Sequence, residues 1–117
     1  METFVVLAMN KVSDLRQMSD EQLELLLSAL DPRDYGQGKY DRWIRLAAAC
    51  HDATNGEGLD IWLDWAARDE SYGAEADELN RRAWESFTAG RPGGASYLTL
   101  LREVSRAGRP DLAARIE

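Results

Sequence analysis

The sequence has one cysteine, Cys50, and one histidine, His51. A lone cysteine excludes an internal disulfide, and this pair alone cannot complete a tetrahedral zinc site without acidic help. A reducing compartment is expected. Long hydrophobic runs are also missing. The apolar stretch at residues 4–9 is far shorter than the roughly 20 residues of a membrane span, and Glu2 rather than a basic residue precedes it. Neither a membrane anchor nor a secretion signal is read, and a cytoplasmic location is expected. Residues 90–94, Gly-Arg-Pro-Gly-Gly, lack the Gly-Lys-Ser/Thr ending with which a P-loop holds phosphate and magnesium, so they read as a loop. Strand-like alternation is nearly absent, confined to the β-branched, apolar residues 3–9.

What is present describes a chain that folds. Hydrophobic residues make up 44% and charged residues 30% of 117, and four tryptophans supply large surfaces that a disordered chain would not use. This length suits one domain. The formal charge of −7 argues against coating duplex DNA by bulk electrostatics, because Lys and Arg neutralising phosphates dominate that affinity. The charge is unevenly placed. Residues 1–73 carry 7 basic and 14 acidic side chains, whereas residues 74–117 carry 7 of each, all the basic ones arginine. Within residues 81–109, six arginines stand against only Glu85 and Glu103. Any nucleic-acid contact is therefore expected in the C-terminal third.

Helix signals recur along the chain. Ser19 opens Ser-Asp-Glu-Gln, a capping box in which Gln22 reaches back, and Leu23, Leu26, Leu27 and Leu30 follow at helical spacing until Asp31-Pro32. After a loop over residues 33–38, Tyr40, Trp43, Ala47, Cys50 and Thr54 predict one apolar face of a second helix. Beyond the turn Asn55-Gly56-Glu57-Gly58, Trp62 centres a broad arc with Leu59, Ile61, Trp65 and Ala66 in a helix from 59 to about 70. So wide an arc implies burial on more than one side. A fourth helix after Gly73 carries a stripe of Ala76, Leu79, Ala83 and Phe87, with Trp84 at its edge and acidic Glu75, Asp77 and Glu78 at its start. Ser96 caps a fifth, with Leu100, Leu101 and Val104 inward and Gly108 as its stop; Pro110 begins a short last helix through Ile116. The expected fold is all-α, a compact orthogonal bundle of about five or six helices over residues 19–117. Residues 1–18 read as a linker or docking segment, with a partner-binding strand as the alternative.

The search for catalytic chemistry returns mostly negatives. Asp60 and Asp64 share a helix face, but any solvated acidic face has that spacing. Cys50 and His51, adjacent on a helix, point about 100° apart and cannot act as a pair. His51 projects beside Ile44 and Tyr40 and reads as a packed or capped histidine. Trp43 and Trp62 lie at the centres of apolar faces and are expected in the core, whereas Trp65 and Trp84 lie at face edges and are expected to be partly exposed. No cofactor or metal is expected. The arginines are the most suggestive feature. Arg102 and Arg106 are one turn apart opposite Leu101 and Val104, flanked by Arg81, Arg82, Arg91 and Arg109, a set able to hold a phosphate backbone or meet an acidic surface.

The order of landmarks is more specific than any of them alone. Leu30-Asp31-Pro32, Tyr40-Asp41-Arg42-Trp43-Ile44, Ala49-Cys50-His51 with Asn55-Gly56, Trp62-Leu63-Asp64-Trp65-Ala66, Ser71-Tyr72, Trp84-Glu85-Ser86-Phe87, and Gly93-Gly94 through Leu100 resemble the PriCT-2 domain of phage and plasmid primases over about residues 20–108. Ala66, Ser71 and Ala95-Ser96-Tyr97 depart from that pattern without removing a core position. The resemblance implies a non-catalytic helical appendage following a primase-polymerase core, often with a helicase beyond. Such a module would position template or initiating nucleotide beside that core, or link the core to the helicase. Its implied partners are the primase-polymerase catalytic domain, a helicase and weakly bound single-stranded DNA, and the chain would be an excised domain or a small relative acting beside one. A protein-interaction or spacer bundle that binds no nucleic acid is the other reading.

Overall fold

The computed structural model describes residues 18–35, 39–70, 72–87 and 95–116. Among them are six α-helices and no strand: α1 (Asp20–Leu27), α2 (Tyr40–Ala53), α3 (Leu59–Ala66), α4 (Ala74–Ser86), α5 (Tyr97–Arg106) and α6 (Pro110–Ile116), with a 3-10 turn at Pro32–Tyr35. The expected all-α fold is found. The linker, docking or strand readings of residues 1–18 lie outside the described residues except at Met18, which is buried in the bundle with its N–H donating to the Ala53 carbonyl at 3.0 Å.

Local chemistry starts α1, α5 and α6 where the sequence indicates, whereas α1 ends at Leu27 rather than at Asp31 and α3 at Ala66 rather than near residue 70. The Ser19 hydroxyl accepts from the Gln22 amide at 3.2 Å while the Gln22 side chain accepts from the Ser19 amide at 2.9 Å, satisfying two donors that a helix start leaves open. Ser96 caps α5 similarly, accepting from Leu98 N while Thr99 Oγ1 accepts from Ser96 N. Gly108 ends α5 at a φ of +94°, a conformation that costs a residue with a Cβ.

Burial follows the helix periods with two shifts. Leu23, Leu26, Leu27 and Leu30 are all buried, as are Leu100, Leu101 and Val104. α3 packs against α1, α2 and α4, which is why its apolar arc is wide and why Trp62 is fully enclosed. The first shift is in α2, which packs against α3, α4 and α5. Its buried set is Leu46, Ala47, Ala49, Cys50 and Ala53 with Thr54, so the predicted face holds only from Ala47 onward, while Tyr40 is 66% exposed and Trp43 half-buried. The second is in α4, where Leu79 is 54% exposed and Asn80 and Trp84 are the buried positions. Asn80 takes the place of Leu79, one residue or about 100° around the helix, while Ala76, Ala83 and Phe87 of the predicted stripe stay half-buried.

Hydrogen bonding accounts for the second shift. Asn80 Oδ1 accepts from Trp43 Nε1 at 2.7 Å and from Trp62 Nε1 at 2.8 Å, and Asn80 Nδ2 donates to the Ala76 carbonyl at 2.9 Å. Turning Asn80 inward satisfies two indoles, and Trp84 comes with it to stack on Trp62 at 6.4 Å between ring centroids. Trp65 and Trp84, expected at partly exposed edges, are 2% and 3% exposed. Their indole N–H groups donate to the carbonyls of Leu30 at 3.1 Å and Gly56 at 3.0 Å. A projection of one helix cannot foresee carbonyls arriving from elsewhere in the chain.

Candidate functional site

Two surfaces are candidates. The first is the arginine face of α5. The rise of one helical turn places Arg102 and Arg106 on the same side, and both are exposed while Leu101 and Val104 face the core. The rest of the arginine set behaves differently. Arg81 is held by Asp77 at 2.7 Å and Arg82 by Glu78 at 2.8 Å, each one turn back on α4, and Arg109 by Asp111 at 3.0 Å. These carboxylates raise the proton affinity of Arg81 and Arg109 further, and Asp77 and Asp111 are held below the usual carboxylate range by those same bonds. Asp77 also accepts from the Tyr72 hydroxyl at 2.7 Å. Among the described residues Arg102 and Arg106 have no such ion pair. Arg91 lies outside the described residues. α4 packs against α2 and α3 and α5 against α1, α2 and α6, so Arg81 and Arg82 stand on a helix with a different setting from that of Arg102 and Arg106.

The second surface is a groove of about 800 Å³ formed by the 3-10 turn, the start of α2, the end of α3 and α4 from Ala74 to Ala83. Buried Tyr35 and Trp65, tilted together at 5.8 Å, lie at its base; Tyr40 and Leu79 stand exposed at its rim, with Trp43 between. Tyr40 and Trp43 are themselves tilted together at 5.5 Å. The predicted core placement of Trp43 therefore gives way to a groove wall. Sequence reasoning missed this surface, although Tyr40 and Trp43 stand three apart at a helix start, a spacing that puts two aromatic rings side by side.

The remaining candidates are structural. Cys50 is fully enclosed, and burial pushes its thiol well above the ordinary range, removing it as a nucleophile. His51 packs edge-on against Trp84 at 5.2 Å and Phe87 at 5.7 Å, a packed histidine with neighbours other than the projected Ile44 and Tyr40. Its Nδ1 is buried without a partner among the described residues, and burial lowers its pKa. Asp60 and Asp64 are both exposed on α3. No group of three or more His, Cys, Asp or Glu that could hold a metal occurs among the described residues. No helix among them is long and apolar enough to cross a membrane.

Comparison with protein families gives a match to Primase C terminal 2 (PriCT-2) over residues 23–103. The chain belongs to the PriCT-2 family. The matched stretch runs from the first core leucine of α1 into α5, so it includes the tryptophan cluster, the groove and Arg102, and it stops short of Arg106. The chain is thus a primase-associated C-terminal module built as a helical bundle. No curated protein and no solved structure matches the chain.

Proposed function

We propose that this PriCT-2 module is non-catalytic and positional, holding single-stranded template, or the initiating nucleotide on it, beside the primase-polymerase core of a phage or plasmid replication protein. Linking that core to a helicase is a role the same position in the protein would allow. One observation carries the reading: Arg102 and Arg106 project from the outer face of α5 without an ion pair among the described residues, while Arg81, Arg82 and Arg109 are each neutralised by a neighbouring carboxylate. Exposed, uncompensated guanidinium groups one turn apart suit two successive phosphates, and they position a strand without reading its sequence. Arg91 and the three paired arginines are lesser contributors, available to phosphate only when a carboxylate is displaced.

The acidity of the whole chain keeps this contact weak, since a charge of −7 repels a polyanion at long range. Fluorescence anisotropy of labelled oligothymidylate at low salt is the test. Binding is expected, weaker to a duplex of the same length, and the Arg102→Ala/Arg106→Ala variant is expected to lose most of it with its melting temperature unchanged. Equal binding by parent and variant would remove the arginine assignment. Absence of binding by the parent would leave the protein-interaction reading.

A further inference from the structure

The groove between α2 and α4 stands apart from the arginine reading. It is preformed. Asn80 fixes the Trp43 ring by accepting its N–H, Trp65 donates to the Leu30 carbonyl, and the Tyr72 hydroxyl donates to Asp77. These donors are already paired within the fold, so an apolar occupant can cover them without stranding a hydrogen bond. Exposed large apolar side chains are few: among the described residues they are Tyr40, Leu79 and Leu98, and the first two both line this groove. Such clustering on a small domain marks a surface that is covered in use.

We propose that this groove docks a polypeptide segment of a partner protein, one that sets an apolar side chain between Tyr40 and Leu79 and places a lysine or arginine beside it. The charge follows from the lining. Glu75 lines the groove and is exposed, and Arg82, the one cationic lining residue among the described residues, is already paired with Glu78 at 2.8 Å. The aromatic walls add a second attraction for a cation, because ring faces carry negative potential. The chain already uses that chemistry within itself: the Arg42 guanidinium sits 4.8 Å over the ring of Tyr35. The Glu75 carboxylate opposes a phosphate backbone, which favours a polypeptide over a nucleotide here. The proposal does not depend on Arg102 and Arg106, which lie on α5, outside the groove.

Calorimetric titration of the full chain tests it, using as probe a synthetic amphipathic helix of leucine, alanine and arginine. A matched peptide with glutamate in place of arginine and a short oligothymidylate complete the set. The arginine peptide is expected to bind, the glutamate peptide about tenfold or more weaker. Tyr40→Ala and Leu79→Glu should each weaken the arginine peptide by about tenfold, the scale of losing one anchor at the centre of an interface. Leu79→Glu is the sharper variant, because its added negative charge would strengthen a purely electrostatic association. Leu98→Glu, carrying the same added charge at the 44% exposed leucine of α5, should not weaken binding. Both groove positions are exposed, so melting temperatures should stay at the parent value. Failure of the arginine peptide to bind overturns the proposal, as does equal binding of the glutamate peptide, unchanged affinity in both groove variants, or loss of oligothymidylate binding in Tyr40→Ala, which would place the nucleic acid in the groove.

Discussion

Asn80 carries the most structural consequence for its size. Its carbonyl oxygen serves two indole N–H groups from different helices, so it joins α4 to both α2 and α3. Replacing it with leucine keeps much of the volume and strands the enclosed Trp62 N–H, while the half-buried Trp43 N–H can recover water. Stranding a buried donor costs about 1–3 kcal/mol, and Asn80→Leu is expected to lower stability by that amount in denaturant titration. A loss below about 0.5 kcal/mol, the range of ordinary surface substitutions, would mean the bonds carry no weight. At the same scale, His51 makes stability respond to pH. Burial holds its folded pKa below the ordinary 6.5, against a weaker opposing pull from Asp52. As pH falls below 6.5 the unfolded chain therefore takes up the proton first, and stability present above that value is lost on the way to the folded pKa. Between about pH 7 and 5, thermal melts of the parent should fall more than those of His51→Phe. The carboxylates held low by arginine, Asp31, Asp77 and Asp111, respond only in a more acid window, below their ordinary 3.8.

At the scale of the element, local rules were the ones readable in advance. Ser19 with Gln22, Ser96, Gly108 and Pro110 placed helix ends from hydrogen-bond chemistry that acts within a few residues, and the structure has those ends. The leucine period of α1 and the Leu100, Leu101, Val104 set of α5 were legible for the same reason. What the periodicity missed was orientation set from outside the helix, as with Leu79 against Asn80 in α4, and with Trp43 against Trp65 and Trp84. The turn between α2 and α3 shows another such constraint. A Cβ at Gly58 would lie 2.8 Å from Thr54 Oγ1 and 2.9 Å from Leu23 Cδ2, so Gly58 lets α1 close over the turn. Thr54 Oγ1 cannot withdraw freely, since it donates to the Cys50 carbonyl at 2.8 Å and accepts from Gly58 N at 3.0 Å. Gly58→Ala is expected to cost about 1–3 kcal/mol, the usual scale of overpacking. Ser19→Ala, which removes a cap and creates no clash, should cost about 1 kcal/mol. Circular dichroism melts of the two variants distinguish these effects, and a smaller loss for Gly58→Ala than for Ser19→Ala would contradict the packing account.

For the whole molecule, family membership came from the order of weak landmarks, because each tryptophan, cap and glycine is held in the bundle by others far along the chain. The arginine face was legible as charge pattern alone. Which arginines are neutralised was not, since that depends on Asp77, Glu78 and Asp111 reaching them. The groove was illegible because its walls come from α2 and α4, separated in sequence by all of α3. The central functional claim is that a strongly acidic module holds single-stranded template through two arginines of α5. The salt dependence of oligothymidylate binding tests it most directly. Two or three phosphates neutralised on a single strand give a logarithmic slope of about −1.4 to −2.1, and Arg102→Ala/Arg106→Ala should flatten it by about one unit or more. A parent slope near zero, or a slope unchanged in the double variant, would contradict the account.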